Sequence, residues 1–218
     1  MSALGFQKAI ARLLERGHFL LLLAGLVFSI VAAHGNDPIS PSPDSGIKTM
    51  VSTVLSALES DITLTKNRKR MLNLVENFVA PQFDFREMTR LTAGKYWPQA
   101  TTEQRQALTN EYRTLLIHTI ARALSHYSGE RVTYPSPARV SDHEAEVDTL
   151  VVATDGSTFK MVFFLWETPH GWKIRDVRID DISLMETYRL NFYVEAEIGG
   201  INHLMKTLAE KNRENDLP

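Results

Sequence analysis

The 218-residue sequence contains no cysteine. That excludes a disulfide framework, a thiolate nucleophile and a thiol that could carry a lipid anchor after export. Several catalytic patterns are missing too: there is no G-x-S-x-G elbow, no G-x-x-x-x-G-K-[ST] phosphate loop and no H-E-x-x-H pair, so hydrolase, nucleotide and zinc-protease chemistry lose their usual supports. Charge of one sign is not in excess, with 24 Lys and Arg against 26 Asp and Glu. Generic attraction to nucleic acid or to anionic lipid is not indicated, and no nucleic-acid partner is expected. No apolar run reaches the roughly 20 residues of a membrane span. The longest, Phe19 to Val31, has 13 and is ended by His34, Gly35 and Asn36.

That run is nevertheless informative. Lys8, Arg12 and Arg16 precede it and Ala32 and Ala33 follow it, the arrangement of a secretory signal cut after Ala33. Residues 1–33 are therefore expected to be a signal peptide of the Sec type. Its loss removes three bases and one acid from the 24 and 26, leaving 21 against 25 and a net charge of −4. Residues 34–46 (HGNDPISPSPDSG) are rich in proline and small polar residues and read as a flexible lead-in. Order is expected from about Ile47, as one domain over 47–212.

Within that domain the apolar period is first helical. Ile47, Met50, Val51, Val54, Leu55, Leu58 and Ile62 share one helical face. Met71, Leu74, Val75 and Phe78 mark a shorter helix stopping before Pro81. Asp84 with Glu87 caps a third, ending near Gly94. Thr101 with Gln104 opens the longest, carrying Leu108, Tyr112, Leu115, Leu116, Thr119, Ile120, Ala123, Leu124 and Tyr127 and running to about 128. After residue 130 the period becomes 2. Ala145 to Ala153 and Thr158 to Glu167 flank the Asp155-Gly156 hairpin signal, and Trp172 to Ile179 completes a meander, so the sheet spans 131–179. Ser183 with Glu186 caps C-terminal helices over 183–213, interrupted at Gly199-Gly200. Helices, then a sheet, then helices is an α+β order.

Few residues suggest catalysis. Of the seven histidines only His118 and His126 share an element, and eight residues apart they point about 80° away from each other, so no metal site is expected. Asp180 and Asp181 read as turn residues that help the Ser183 cap. The stronger feature is Met161 to Trp166, apolar on both faces of one strand. A filled core and a cavity lining share that composition.

Resemblance separates them. Phe83 to Tyr127 (FDFREMTRLTAGKYWPQATTEQRQALTNEYRTLLIHTIARALSHY) resembles the MlaC family of periplasmic phospholipid-binding proteins, also called toluene-tolerance proteins. The likeness continues through Gly171-Trp172-Lys173-Ile174-Arg175-Asp176-Val177, Ile182-Ser183-Leu184, Tyr188-Arg189 and Gly200-Ile201 with Leu204 and Leu208, covering about residues 47 to 212. Where the family commonly has Glu-Gly before a Val-Ser pair, this chain has Asp180-Asp181-Ile182-Ser183. Aspartate tolerates positive φ better than most residues.

The resemblance implies a cystatin-like or NTF2-like, highly twisted antiparallel sheet wrapped by helices around an apolar cavity. It implies a periplasmic carrier that takes phospholipid as cargo between an inner-membrane ABC transporter complex with an MCE-domain subunit and an outer-membrane lipoprotein–porin complex, preserving outer-membrane lipid asymmetry. No cofactor, no metal and no catalysis are expected, and the chain should be a monomer. The physics fits: two chains of about sixteen carbons, at about 0.8 kcal/mol per methylene, cost on the order of 25 kcal/mol in water. On face periodicity the lipid-binding residues are Val147, Val151, Met161, Phe163, Leu165, Trp172 and Ile174 from the strands, with Leu91, Tyr96, Trp97, Leu116, Ile120, Leu124, Leu184, Tyr188 and Phe192 from the helices. The competing readings are an NTF2-like enzyme for a small apolar substrate, using Tyr127, His126 and Asp176, and a periplasmic adaptor or chaperone.

Overall fold

The computed structural model describes residues 42–216. The expected signal peptide at 1–33 and most of the lead-in lie outside the described residues. Among the described residues no helix is long and apolar enough to cross a membrane.

Among the described residues, five α-helices and six strands form an α+β fold. Helix α1 spans Pro43–Ser60 and starts four residues before Ile47, because Pro43 occupies the first turn, where its missing N–H costs nothing. It ends at Asp61, whose carboxylate accepts from Thr63 N–H and restarts the chain as the 3₁₀ turn Ile62–Lys66. Ile62 consequently leaves the buried stripe that periodicity assigned it and is 54% exposed. Helix α2, Arg68–Leu74, runs on into a wider π turn, Val75–Val79. Closing i→i+5 hydrogen bonds adds a residue to the turn. Phe78 is thereby rotated into solvent and Val79 is buried in its place.

Helix α3, Phe85–Ala93, is capped by Asp84, whose Oδ1 accepts from Glu87 N–H at 2.9 Å. Helix α4, Thr102–Leu124, opens on a complete capping box: Gln104 N–H donates to Thr101 Oγ1 at 3.2 Å, and Thr101 N–H donates to Gln104 Oε1 at 2.9 Å. It ends four residues before the expected 128. Helix α5, Leu184–Asp216, is one element broken at Gly199 and Gly200, the second with φ 71°. Ser183 caps it by accepting from Glu186 N–H at 3.0 Å. The helper of that cap is Asp176, not the Asp180-Asp181 pair: its carboxylate accepts from Ser183 Oγ at 2.7 Å and from Met185 N–H at 3.0 Å.

The strands are β1 Arg131–Thr133, β2 Arg139–Ser141, β3 Glu144–Val152, β4 Thr158–Thr168, β5 Gly171–Ile179 and β6 Ile182–Ser183. All pairs are antiparallel in the order β1-β3-β4-β5-β6, with β2 also on β3. Paired residues share a face of the sheet, and Val147 with Phe163, Thr149 with Met161 and Val177 with Phe163 define the face turned to the helices. A bulge interrupts β5: Leu165 pairs with Ile174 but Phe164 with Asp176, leaving Arg175 unopposed. Ile174 and Val177 therefore lie on one face although they are three residues apart.

Asp180 and Asp181, with φ of 44° and 65°, form the two-residue loop between paired Ile179 and Ile182. Positive φ at both positions is the geometry that favours glycine second. Asp180 is committed, since its carboxylate accepts from Lys160 N–H at 2.9 Å, whereas Asp181 makes no such bond among the described residues. Replacing Asp181 by Gly should raise stability by about 0.5–1 kcal/mol in urea melts, while Asp180→Gly, which forfeits the Lys160 bond, should not.

Candidate functional site: an apolar cavity between sheet and helices

The helix-facing side of the sheet does not close completely on the helices. A cavity of about 230 Å³ remains between α1, α4, the π turn and strands β1, β4 and β5. Its floor is buried: Met50 and Val54 of α1, Val79 of the π turn, Phe83, Leu116 and Thr119 of α4, Phe163, Val177 and Leu184. Its rim is half-exposed: Val51 and Leu55, Ile120, Ala123 and Leu124, Val132, Met161 and Ile179. Phe83 is held there by a bridge to Ile174 and by Asp84 N–H donating to the Ile174 carbonyl at 2.9 Å.

Of these lining side chains Thr119 alone is polar, and its hydroxyl is occupied. Oγ1 donates to the Leu115 carbonyl at 2.8 Å and lies 3.2 Å from the Tyr188 hydroxyl. The wall thus offers no unmet hydrogen-bonding group and no titratable one. With eight of its seventeen lining residues half-exposed, the hollow opens to the surface, and its wall has the polarity of hydrocarbon.

Six of the sixteen residues expected on periodicity line the cavity: Leu116, Ile120, Leu124, Met161, Phe163 and Leu184. The structure places the other ten elsewhere. Val147 and Ile174 are buried in the core on the same sheet, and Val151 is buried farther along β3. Leu165 and Trp172 border a separate cleft at the start of α1, beside Ile47. Tyr188 and Phe192 form an aromatic cluster with Tyr112, at centroid distances of 5.3 and 5.0 Å from it. Burial pushes the Tyr112 and Tyr188 phenols up in pKa. Leu91 is half-exposed on α3. Tyr96 sits edge-on to Tyr193 and donates to Glu197 at 3.3 Å, and Trp97 lies under the Arg105 guanidinium.

Face periodicity missed Val177 and Ile179 because the Arg175 bulge reverses the alternation of β5 beyond it. It missed Val79 because of the π turn. The α1 residues were legible as an apolar stripe, but the stripe does not say what it faces. Ala123, between Ile120 and Leu124 on the α4 stripe, was the accessible signal for the rim.

A model of the MlaC protein family matches residues 48–210. The chain belongs to the MlaC family. The toluene tolerance protein ttg2D of Pseudomonas putida is 25% identical over 199 residues, 90% of this MlaC chain and 88% of that protein. A solved structure of the phospholipid-binding protein from Ralstonia solanacearum, in complex with a phospholipid, is 30% identical, with a TM-score of 0.74 over 81% of this MlaC chain and 100% of the other.

Of the residues an enzyme reading would use, Asp176 is buried. Burial pushes its carboxyl pKa up, against the pull of the Met185 and Ser183 hydrogen bonds. It caps α5 in this MlaC protein and is not among the residues lining the cavity. A raised folded-state pKa means that stability from this group is full below the unfolded carboxyl value of about 4 and is lost as pH rises through the folded value. The stability difference between wild type and Asp176→Asn should therefore shrink as pH rises above about 4, measured by denaturant melts across pH. Lipid loading should be unaffected.

Proposed function

We propose that this protein is a periplasmic phospholipid carrier, exported by the segment 1–33 and acting through one lipid-binding domain, residues 47–212. In this reading it shuttles lipid between an outer-membrane lipoprotein–porin complex and an inner-membrane ABC transporter complex with an MCE-domain subunit, maintaining outer-membrane lipid asymmetry. The observation that carries the reading is the cavity walled by apolar side chains, with the lone hydroxyl of Thr119 already satisfied. Acyl chains enter such a site, and the phosphate head stays at the half-exposed rim. The Ralstonia solanacearum relative, solved in complex with a phospholipid, supports the cargo class.

The task needs no bond making. Burial of hydrocarbon offsets most of the transfer cost by itself, and a wall without a titratable group offers no acid or base for the enzyme alternative. An adaptor for unfolded protein would present an open groove, whereas nine of the seventeen lining residues here are buried.

Native mass spectrometry of the protein as purified should show phospholipid mass added to the mature chain. Repeated recovery of empty protein that also fails to take up labelled lipid from vesicles would overturn the proposal.

A further inference from the structure

The end of the molecule at which α4 terminates carries a concentration of positive charge that the cavity does not use. Residues 66–70, Lys-Asn-Arg-Lys-Arg, are all exposed and place four bases in five positions of a chain whose formal net charge is −2. Lys66 and Arg68 share a polar cleft of about 380 Å³ with Arg122 of the last turn of α4 and with Glu214 near the end of α5. Arg213, exposed beside Glu214, adds a further base. Two members of the group have assigned partners: Arg70 bonds to Asp61 at 2.8 Å, and Arg68 donates to the Asn215 carbonyl. Lys66, Lys69 and Arg122 have no ion pair among the described residues.

The position of the patch matters as much as its charge. Arg122 and Ser125 line the basic cleft, while Ala123 and Leu124, of the same helical turn, line the cavity rim. Ile62, next to the patch on the turn leaving α1, is 54% exposed. The basic cleft and the cavity rim thus share the last turn of α4.

We infer that this end is a docking surface for an anionic lipid bilayer, contacted through Lys66, Lys69 and Arg122, so that the cavity mouth opens against the membrane. A basic cluster attracts anionic headgroups within about one Debye length of the surface, and an apolar side chain beside it adds shallow burial among the headgroups. The inference rests on the carrier reading for why a mouth should face a bilayer, and its test is read separately from cargo loading.

The test is sedimentation of the full mature protein with vesicles of phosphatidylcholine alone or with phosphatidylglycerol, in about 0.05 M and about 0.5 M salt. Wild type should bind only the phosphatidylglycerol vesicles, and only at low salt. A triple variant Lys66→Glu, Lys69→Glu, Arg122→Glu should bind at least about tenfold more weakly, with the glutamine triple between the two and serving alone if the first does not fold. Both should keep the phospholipid seen by native mass spectrometry, since none of the three residues lines the cavity. Undiminished binding by the variants overturns the inference. So does failure of wild type to bind anionic vesicles, and capture of an acidic protein by the same bases would then assign the patch to that partner. Loss of cargo from wild type itself would count against the carrier reading and not against the patch.

Discussion

Ala123→Trp should be recovered almost free of phospholipid while remaining folded. Ala123 stands on the rim, half-exposed, between Ile120 and Leu124 of the same helix. An indole there projects into the space that an acyl chain would occupy and gives that space an occupant that cannot leave. A displacement worth 1.4 kcal/mol lowers occupancy affinity about tenfold, and forcing cargo past a misplaced ring costs about 1–3 kcal/mol. The ratio of lipid-bearing to empty protein in a native mass spectrum should accordingly fall about tenfold or more. Because the site is already hollow, the ring need not distort packed neighbours, and stability should change by no more than about 1 kcal/mol. Full loading of a folded Ala123→Trp protein would place the cargo elsewhere.

Phe192→Ala should show the opposite pattern, a large loss of stability with cargo retained by the molecules that stay folded. Phe192 is 1% exposed and packs edge-on to Tyr112, which in turn meets Tyr188. None of the three lines the cavity. Truncating a buried phenylalanine costs about 3–5 kcal/mol, a large share of a typical total of about 5–15 kcal/mol. The melting midpoint should drop by about 10 °C for a domain of this length. Phe192→Leu, which leaves a smaller void, should recover much of the loss and load lipid like wild type. If Phe192→Leu emptied the protein without destabilising it, the cavity would extend into the aromatic cluster.

These two variants divide the apolar residues into those that hold the fold together and those that leave room, a division the amino-acid sequence does not display. What is legible in it is local. The caps at Asp84, Thr101 and Ser183 each sit three residues before a Glu or Gln, and each is formed. The Asp155-Gly156 turn lies where the hairpin signal places it, with Gly156 at φ 83°. Side-chain period alone brings Leu116, Ile120, Leu124, Met161 and Phe163 to the same hollow. What is not legible is any change of period inside an element. Val75–Val79 widens by one residue and β5 gains Arg175, and neither event has a glycine or proline to announce it. Depth is equally silent: Ile47 and Leu58 of α1 are buried, whereas Val51 and Leu55 from the same stripe stand at the rim. The partner surface, not the stripe, decides which is which.

The unopposed Arg175 also divides the duties of a single strand. Before it, Trp172 borders the cleft at the start of α1 and Ile174 is buried with Leu165; after it, Val177 and Ile179 touch the hollow. Side-chain size can therefore be changed at 177 and 179 to reshape the hollow without disturbing the half of the strand that anchors Phe83. Were Arg175 instead paired as an ordinary strand residue, with the bulge closed up, Val177 and Ile179 would turn outward and Asp176 and Arg178 would face the hollow.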